Sequence, residues 1–275
     1  MTALQAIILA IMQGVTELFP ISSLAHAVIV PALLGWKDVD ENLDSFLPFL
    51  VVMHLGTALA LIAYFWRTWL DFATAILFRR GPRAEGERRI LWRVVVATIP
   101  AVIVGFFLEK ELKRAFGAPV LAAGFLIANG VMLFAAERLK GRQDRALTRL
   151  RWIDAVAIGL WQCLAFIPGF SRSGATMVGG YLAGLDHEDA ARFSFLTATP
   201  IILAATALEA PKLIHNHDTF SALAIVAGGV AGVAAFLSTV VLMRWFRQTE
   251  VRAFDPFALY CALAGAGSLA WLLLR

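Results

Sequence analysis

The chain has 275 residues, of which 60% are hydrophobic and 16% charged, and its mean hydropathy is +0.75. A soluble domain carries about 25% charged residues, so this composition argues against soluble enzymes and nucleic-acid-binding modules. The net charge of +4 comes from basic residues gathered in short stretches between apolar runs, as in the cytoplasmic loops of membrane proteins.

Residues 2–35 form an apolar segment interrupted by Gln13, Glu17, Pro20, Ser22, Ser23, His26 and Pro31. An acidic stretch with Lys37, Asp38, Asp40, Glu41 and Asp44 follows. The run 46–66 leads into a basic loop over 67–93. The runs 92–108 and 118–136 flank a short charged stretch, and a second basic loop covers 137–151. Residues 152–185 are apolar but interrupted by Pro168, Gly169, Ser171, Arg172, Ser173, Gly174 and Thr176. The runs 190–208, 220–243 and 254–274 complete the chain. The N-terminus lacks a basic leader region, so no cleaved signal peptide is expected. Cys163 and Cys261 lie in apolar runs without metal-ligand spacing and read as packing residues.

A span needs about 20 apolar residues. The six uninterrupted runs are therefore expected to be transmembrane helices. Polar backbone at membrane depth survives only inside protein or against a water-filled cavity. A helix–loop–helix that enters and leaves on one side meets that demand, so both interrupted segments read as re-entrant. Counting positive charges supports this topology. It puts the basic loops 67–93 and 137–151, and Arg244, Arg247 and Arg252, in the cytoplasm. Both termini and the acidic stretch then lie outside.

The two interrupted segments also resemble each other. Each has a glutamine (Gln13, Gln162), an apolar stretch, a proline (Pro20, Pro168), then serines. Their expected orientations are opposite. The expectation is one polytopic all-α domain built as an inverted repeat, with halves about 1–138 and 150–275. Such folds place their sites on broken helices near the midplane.

Arg172 is costly inside a membrane segment and marks a functional site, unless it snorkels or pairs with a carboxylate. Ser171 can cap the helix that resumes after it, and free N–H groups there favour an anion. Arg172 adds a charge-assisted grip on phosphate. Gln13 and Glu17, four residues apart, share a helix face. They suit a divalent cation held through oxygen ligands and water, or Glu17 simply neutralises Arg172. His26 follows Ser23 by three residues, a spacing that suits a nucleophile and base, or an acid for the leaving group. His54, within the run 46–66, either lines the site or is a satisfied core histidine. His187, His215 and His217 fall at loop edges and are expected in solvent. Walker, Rossmann, H-E-x-x-H and C-x-x-C motifs are absent from the sequence.

The pattern Gln13-x-x-x-Glu17, with Pro20-Ile21-Ser22-Ser23-x-x-His26 and Pro168-Gly169-x-Ser171-Arg172-Ser173-x-x-Thr176, resembles the undecaprenyl pyrophosphate phosphatase (bacitracin-resistance protein) family. Both family motifs are complete, and the resemblance covers essentially the whole chain. It implies hydrolysis of the C55 isoprenoid pyrophosphate carrier to its monophosphate at the outer face of the bacterial plasma membrane. The implied catalytic residues are Glu17, Ser23, His26 and Arg172. The implied metal ligands are Gln13 and Glu17, for magnesium or calcium. The implied phosphate-binding residues are Ser22, Ser171, Arg172, Ser173, Gly174 and Thr176. Leu24 departs from the threonine often found beside the serine pair, which removes one hydroxyl. The implied partners are the polyprenyl pyrophosphate lipid and the bilayer, with no nucleic acid and a homodimer left open. The competing reading is an inverted-repeat transporter or flippase of an anionic lipid, which would need no nucleophile.

Overall fold

A computed structural model describes residues 1–36, 43–115, 118–139, 143–215, 222–249 and 251–274. Residues 37–42 of the expected acidic stretch and His217 lie outside these. Among the described residues there are eleven α-helices and no strand. In chain order they are α1 Ala3–Thr16, α2 Ser23–Leu34, α3 Leu43–Tyr64, α4 Trp66–Leu77, α5 Pro82–Ala115, α6 Pro119–Arg138, α7 Trp152–Gln162, α8 Arg172–Leu182, α9 His187–His215, α10 Ala222–Gln248 and α11 Asp255–Leu274. A short 3₁₀ turn, Cys163–Phe166, follows α7.

Five helices (α5, α6, α9, α10 and α11) are long and apolar enough to cross a membrane. The bent pair α3–α4 supplies a sixth if counted as one span. The chain is therefore an all-helical membrane protein, and large apolar side chains such as Phe106, Phe107, Val233 and Leu263 face outward, as lipid contact requires. The two interrupted segments form helix pairs, α1 with α2 and α7 with α8, each helix too short to span.

Local sequence sets the helix ends. Thr2 and Gln5 form a capping box at the start of α1. The Ser22 and Ser171 side chains accept from the N–H groups of Ala25 and Gly174 and so start α2 and α8. Pro119 opens α6, where its missing N–H costs nothing.

Small residues bring backbones together. A Cβ added to Gly56 of α3 would sit 2.0 Å from the Gly228 carbonyl oxygen of α10. Only glycine permits that approach, which is how helices pack when lipid supplies no hydrophobic drive between them. Helix α6 packs on α11, α1 on α10, α5 on α7, and α9 on both α3 and α5.

Two expectations need correction. The basic stretch 67–93 is helical except at 78–81: α4 turns 72° from α3, and its Asp71 takes Arg79 at 2.7 Å. Arg93 of α5 donates to the Leu150 carbonyl at 2.9 Å and lies over Trp152. Arginine and glutamate are good helix formers, so a charged stretch need not be a loop. His187 is not in solvent but only 4% exposed. Its Nε2 meets Glu137 at 2.9 Å, and the same carboxylate accepts the Phe254 N–H. This buried pair joins α6, α9 and the start of α11.

Candidate active site

The site forms where the two helix pairs break. Helix α1 ends at Glu17, whose N–H still donates to the Gln13 carbonyl. The chain turns through Pro20 and resumes at Ser22, which holds a left-handed φ of 67°. That conformation is costly for a residue with a Cβ and persists only where neighbours fix it. On the other side, Gly169 has φ 115°, and a Cβ there would lie 2.5 Å from the Phe125 side chain of α6. The second break can therefore press against α6 only with glycine at this position.

Glu17 is the hub. Its Oε1 accepts from Arg172 Nη2 at 2.8 Å. Its Oε2 accepts from Ser23 Oγ at 2.6 Å and from Gln13 Nε2 at 3.1 Å. His54 Nε2 lies 3.3 Å from the same oxygen, while its Nδ1 meets the Leu50 carbonyl at 2.8 Å. Both partners of His54 are acceptors, so the imidazolium satisfies both contacts. Glu17 is only 6% exposed. A buried carboxylate without this shell would be strongly destabilising.

The guanidinium of Arg172 is not used up by the pair. Its Nη1 is buried and has no hydrogen-bond partner among the described residues. A buried, unpartnered cationic donor is costly in a finished structure. Such a donor suits an anion that arrives from outside.

Arg172 lines a cavity of about 370 Å³ together with Glu17, Ser22, Ser23, His54 and Ser171. Beyond this polar end the walls are apolar: Leu24, Leu50, Val102, Phe106, Phe166, Phe170, Ile201 and Leu208. The wall residues of α5 and α9 lie in the halves of those helices remote from the basic stretches. The cavity is thus a polar head joined to an apolar groove.

The sequence-derived site residues do not all reach this cavity. Gln13 is buried behind Glu17 and does not line it. His26 is turned away: Nδ1 meets the Ser22 carbonyl at 2.7 Å and Nε2 the Tyr260 hydroxyl at 2.8 Å. A carbonyl only accepts, so Nδ1 carries the proton to Ser22, and in the neutral ring the Tyr260 O–H donates to Nε2. His26 thereby braces the strained Ser22. Ser173 Oγ donates to the Phe19 carbonyl, Thr176 Oγ1 donates to the Arg172 carbonyl, and Gly174 N–H donates to Ser171 Oγ. These three residues build the start of α8 rather than the cavity wall. His54 is brought to the centre. Tyr260 and Asn129, which sequence reasoning left aside, hold the breaks from behind. The Asn129 signal was an amide alone in the apolar run 118–136.

No group of three or more His, Cys, Asp or Glu residues that could hold an ion occurs among the described residues. Among the described residues Glu17 is the one carboxylate on the cavity wall, with the Gln13 amide against it. This donor set fits a cation that brings most of its oxygen ligands with it, as magnesium on a phosphate does. It does not form an all-protein cage.

Comparison with known proteins places the chain in a family. The family model described as Bacitracin resistance protein BacA matches residues 6–267. A protein of Acidiphilium cryptum named undecaprenyl-diphosphatase is 51% identical over 276 residues, covering 98% of each chain. One of Granulibacter bethesdensis with the same name is 50% identical, over 99% of this chain and 97% of its own. An undecaprenyl-diphosphatase 2 of Chromobacterium violaceum is 44% identical over 98% of both chains. A match across nearly the whole length makes this chain a member of the BacA bacitracin-resistance family.

Proposed function

We propose that the chain is an undecaprenyl-diphosphatase, hydrolysing the C55 isoprenoid pyrophosphate to its monophosphate and phosphate. The observation that carries this reading is Ser23 Oγ at 2.6 Å from Glu17, beside an Arg172 whose Nη1 has no partner among the described residues, at the polar end of an apolar groove. The names of the relatives point the same way.

In the mechanism, the isoprenoid lies in the groove and its pyrophosphate meets Arg172. Nη1 takes a terminal phosphate oxygen while Nη2 stays on Glu17. Glu17 accepts the Ser23 proton as Oγ attacks the terminal phosphorus, and the bond from that phosphorus to the bridging oxygen breaks. The lipid monophosphate leaves with its oxygen, and water then cleaves the phosphoserine to free serine and phosphate. Arg172 and the His54 imidazolium offset the charge that develops on the phosphoryl oxygens. Ser171 lies at the positive end of α8, which favours the same anion. Ser22 shapes the turn that aims Ser23, and His26 fixes Ser22. Ser173, Gly174 and Thr176 hold the α8 start in place. A divalent cation, magnesium or calcium, would be held by Glu17, with the Gln13 amide orienting that carboxylate from behind, and would add positive charge at the same point.

The helix pairing supports the inverted repeat. Contacts α1–α10 and α5–α7 correspond if α1, α3, α5 and α6 match α7, α9, α10 and α11. So do α3–α10 and α5–α9, while α6–α11 and α3–α9 pair equivalent helices. The two short helix pairs are then re-entrant halves of one domain. Charge counting makes the basic end cytoplasmic, so the groove, at the opposite end, opens to the outer face.

The test is phosphate release from undecaprenyl pyrophosphate by purified protein, compared with Arg172→Ala. Release by the wild type and its loss in the folded variant would support the reading. No release from intact lipid substrate would overturn it and restore the transporter alternative.

A further inference from the structure

Asn129 of α6 belongs to neither motif, yet it bonds to both breaks. It is fully buried. Its Nδ2 donates to the Pro20 carbonyl at 2.9 Å, and its Oδ1 accepts the Ser171 N–H at 3.0 Å. Pro20 stands midway between Glu17 and Ser23 in the chain. Ser171 directly precedes Arg172. One amide thus spans the segment with the carboxylate and hydroxyl and the segment with the guanidinium. The Cys261 thiol closes the other side, with Sγ 3.3 Å from Nδ2.

The chemistry of the two partners dictates the side chain. A carbonyl can only accept and an N–H can only donate, so the bridge needs one donor and one acceptor on one short planar group. Asparagine supplies both. Leucine supplies neither, and an ionised aspartate would set a second acceptor against the Pro20 oxygen. Burial makes each lost partner costly.

We propose that Asn129 is a positioning residue for phosphoryl transfer, fixing the separation between the Glu17–Ser23 turn and the Arg172 helix start. This rests on the proposed phosphatase activity. The geometry between an attacking oxygen and the group that stabilises the phosphoryl charge is sensitive: a misplacement of about 1 Å can cost on the order of 100-fold in rate. The Ser173–Phe19 bond is a second link between the segments, so losing the Asn129 bridge loosens the site without dissolving the fold.

The experiment compares wild type, Asn129→Leu and Asn129→Asp for kcat, KM, thermal stability and amide exchange at Ser171. In Asn129→Leu, kcat should fall about 100-fold with KM little changed, and the Ser171 amide should exchange faster. Asn129→Asp should be impaired at neutral pH and recover, relative to wild type, as pH falls. Its protonated carboxyl offers one O–H to Pro20 and one oxygen to Ser171. A merely structural residue would not give that recovery. A wild-type kcat in Asn129→Leu would overturn the proposal. So would activity that only follows the folded fraction, with no acid recovery in Asn129→Asp. If the wild type releases no phosphate, the activity reading fails by itself. Unchanged Ser171 exchange in Asn129→Leu would then still refute the bridge.

Discussion

Arg172 Nη2 lies 2.8 Å from Glu17 Oε1, joining two residues 155 positions apart. This contact closes the two broken segments on each other. It also divides the guanidinium, with one nitrogen on the carboxylate and one without a partner among the described residues.

That division separates charge from geometry. Arg172→Lys keeps a cation opposite Glu17 but has a single nitrogen, which cannot hold the carboxylate and a phosphate oxygen in fixed directions. We expect kcat/KM for phosphate release to drop by about 100-fold or more, with thermal stability close to wild type. Arg172→Ala should also lose stability, because among the described residues Glu17 then keeps only His54 as a cationic partner. Equal activity of Arg172→Lys and wild type would remove the two-point role.

The two histidines should behave differently. His54 touches Glu17 directly, so His54→Leu should lower kcat at least tenfold, the loss expected for one charged group near a developing phosphoryl charge. Tyr260→Phe removes only the outer bond of His26 and should cost about 1 kcal/mol of stability, with a smaller effect on rate. Matched thermal melts and phosphate-release assays check both. A larger rate loss in Tyr260→Phe than in His54→Leu would put His26, not His54, at the chemistry.

Gly169→Ala should fail at the level of folding. The added methyl meets the Phe125 side chain and the α6 backbone, and φ 115° is strained for alanine. The expected result is low yield and a lowered melting temperature in detergent. Full yield with normal activity would mean that α6 and the second break can separate at little cost.

The groove between α5 and α9 is lined by small residues, among them Ala101, Gly105, Ala204 and Ala205. Ala204→Trp should raise KM for the C55 substrate much more than for a short isoprenyl pyrophosphate. A parallel rise for both would show that the lipid tail lies elsewhere.

Much of this site was legible because polar groups are conspicuous in apolar segments. Arg172, Glu17, Pro20 and Pro168 announced two breaks, and the structure brings Glu17, Ser23 and Arg172 together. The three-residue spacing of Ser23 and His26 allows a contact, but in the structure the two side chains have other partners. Helix α2 turns the imidazole back onto the Ser22 carbonyl and Tyr260, away from the hydroxyl. Asn129 stayed silent because a single amide does not alter the hydropathy of its run, and its partners come from backbone 109 and 42 positions away. His187 read as a loop-edge histidine because nothing local reveals Glu137, 50 positions earlier, as its buried partner.

The contact of Gly56 with Gly228 has one more consequence. Two backbones in van der Waals touch cannot hinge apart without opening a void along the whole joint. The groove between α5 and α9 is walled instead by side chains, Phe106 and Leu208 among them. A bulky tail would slide in sideways from the bilayer past Phe106 and Leu208, and its spent form would leave by the same door.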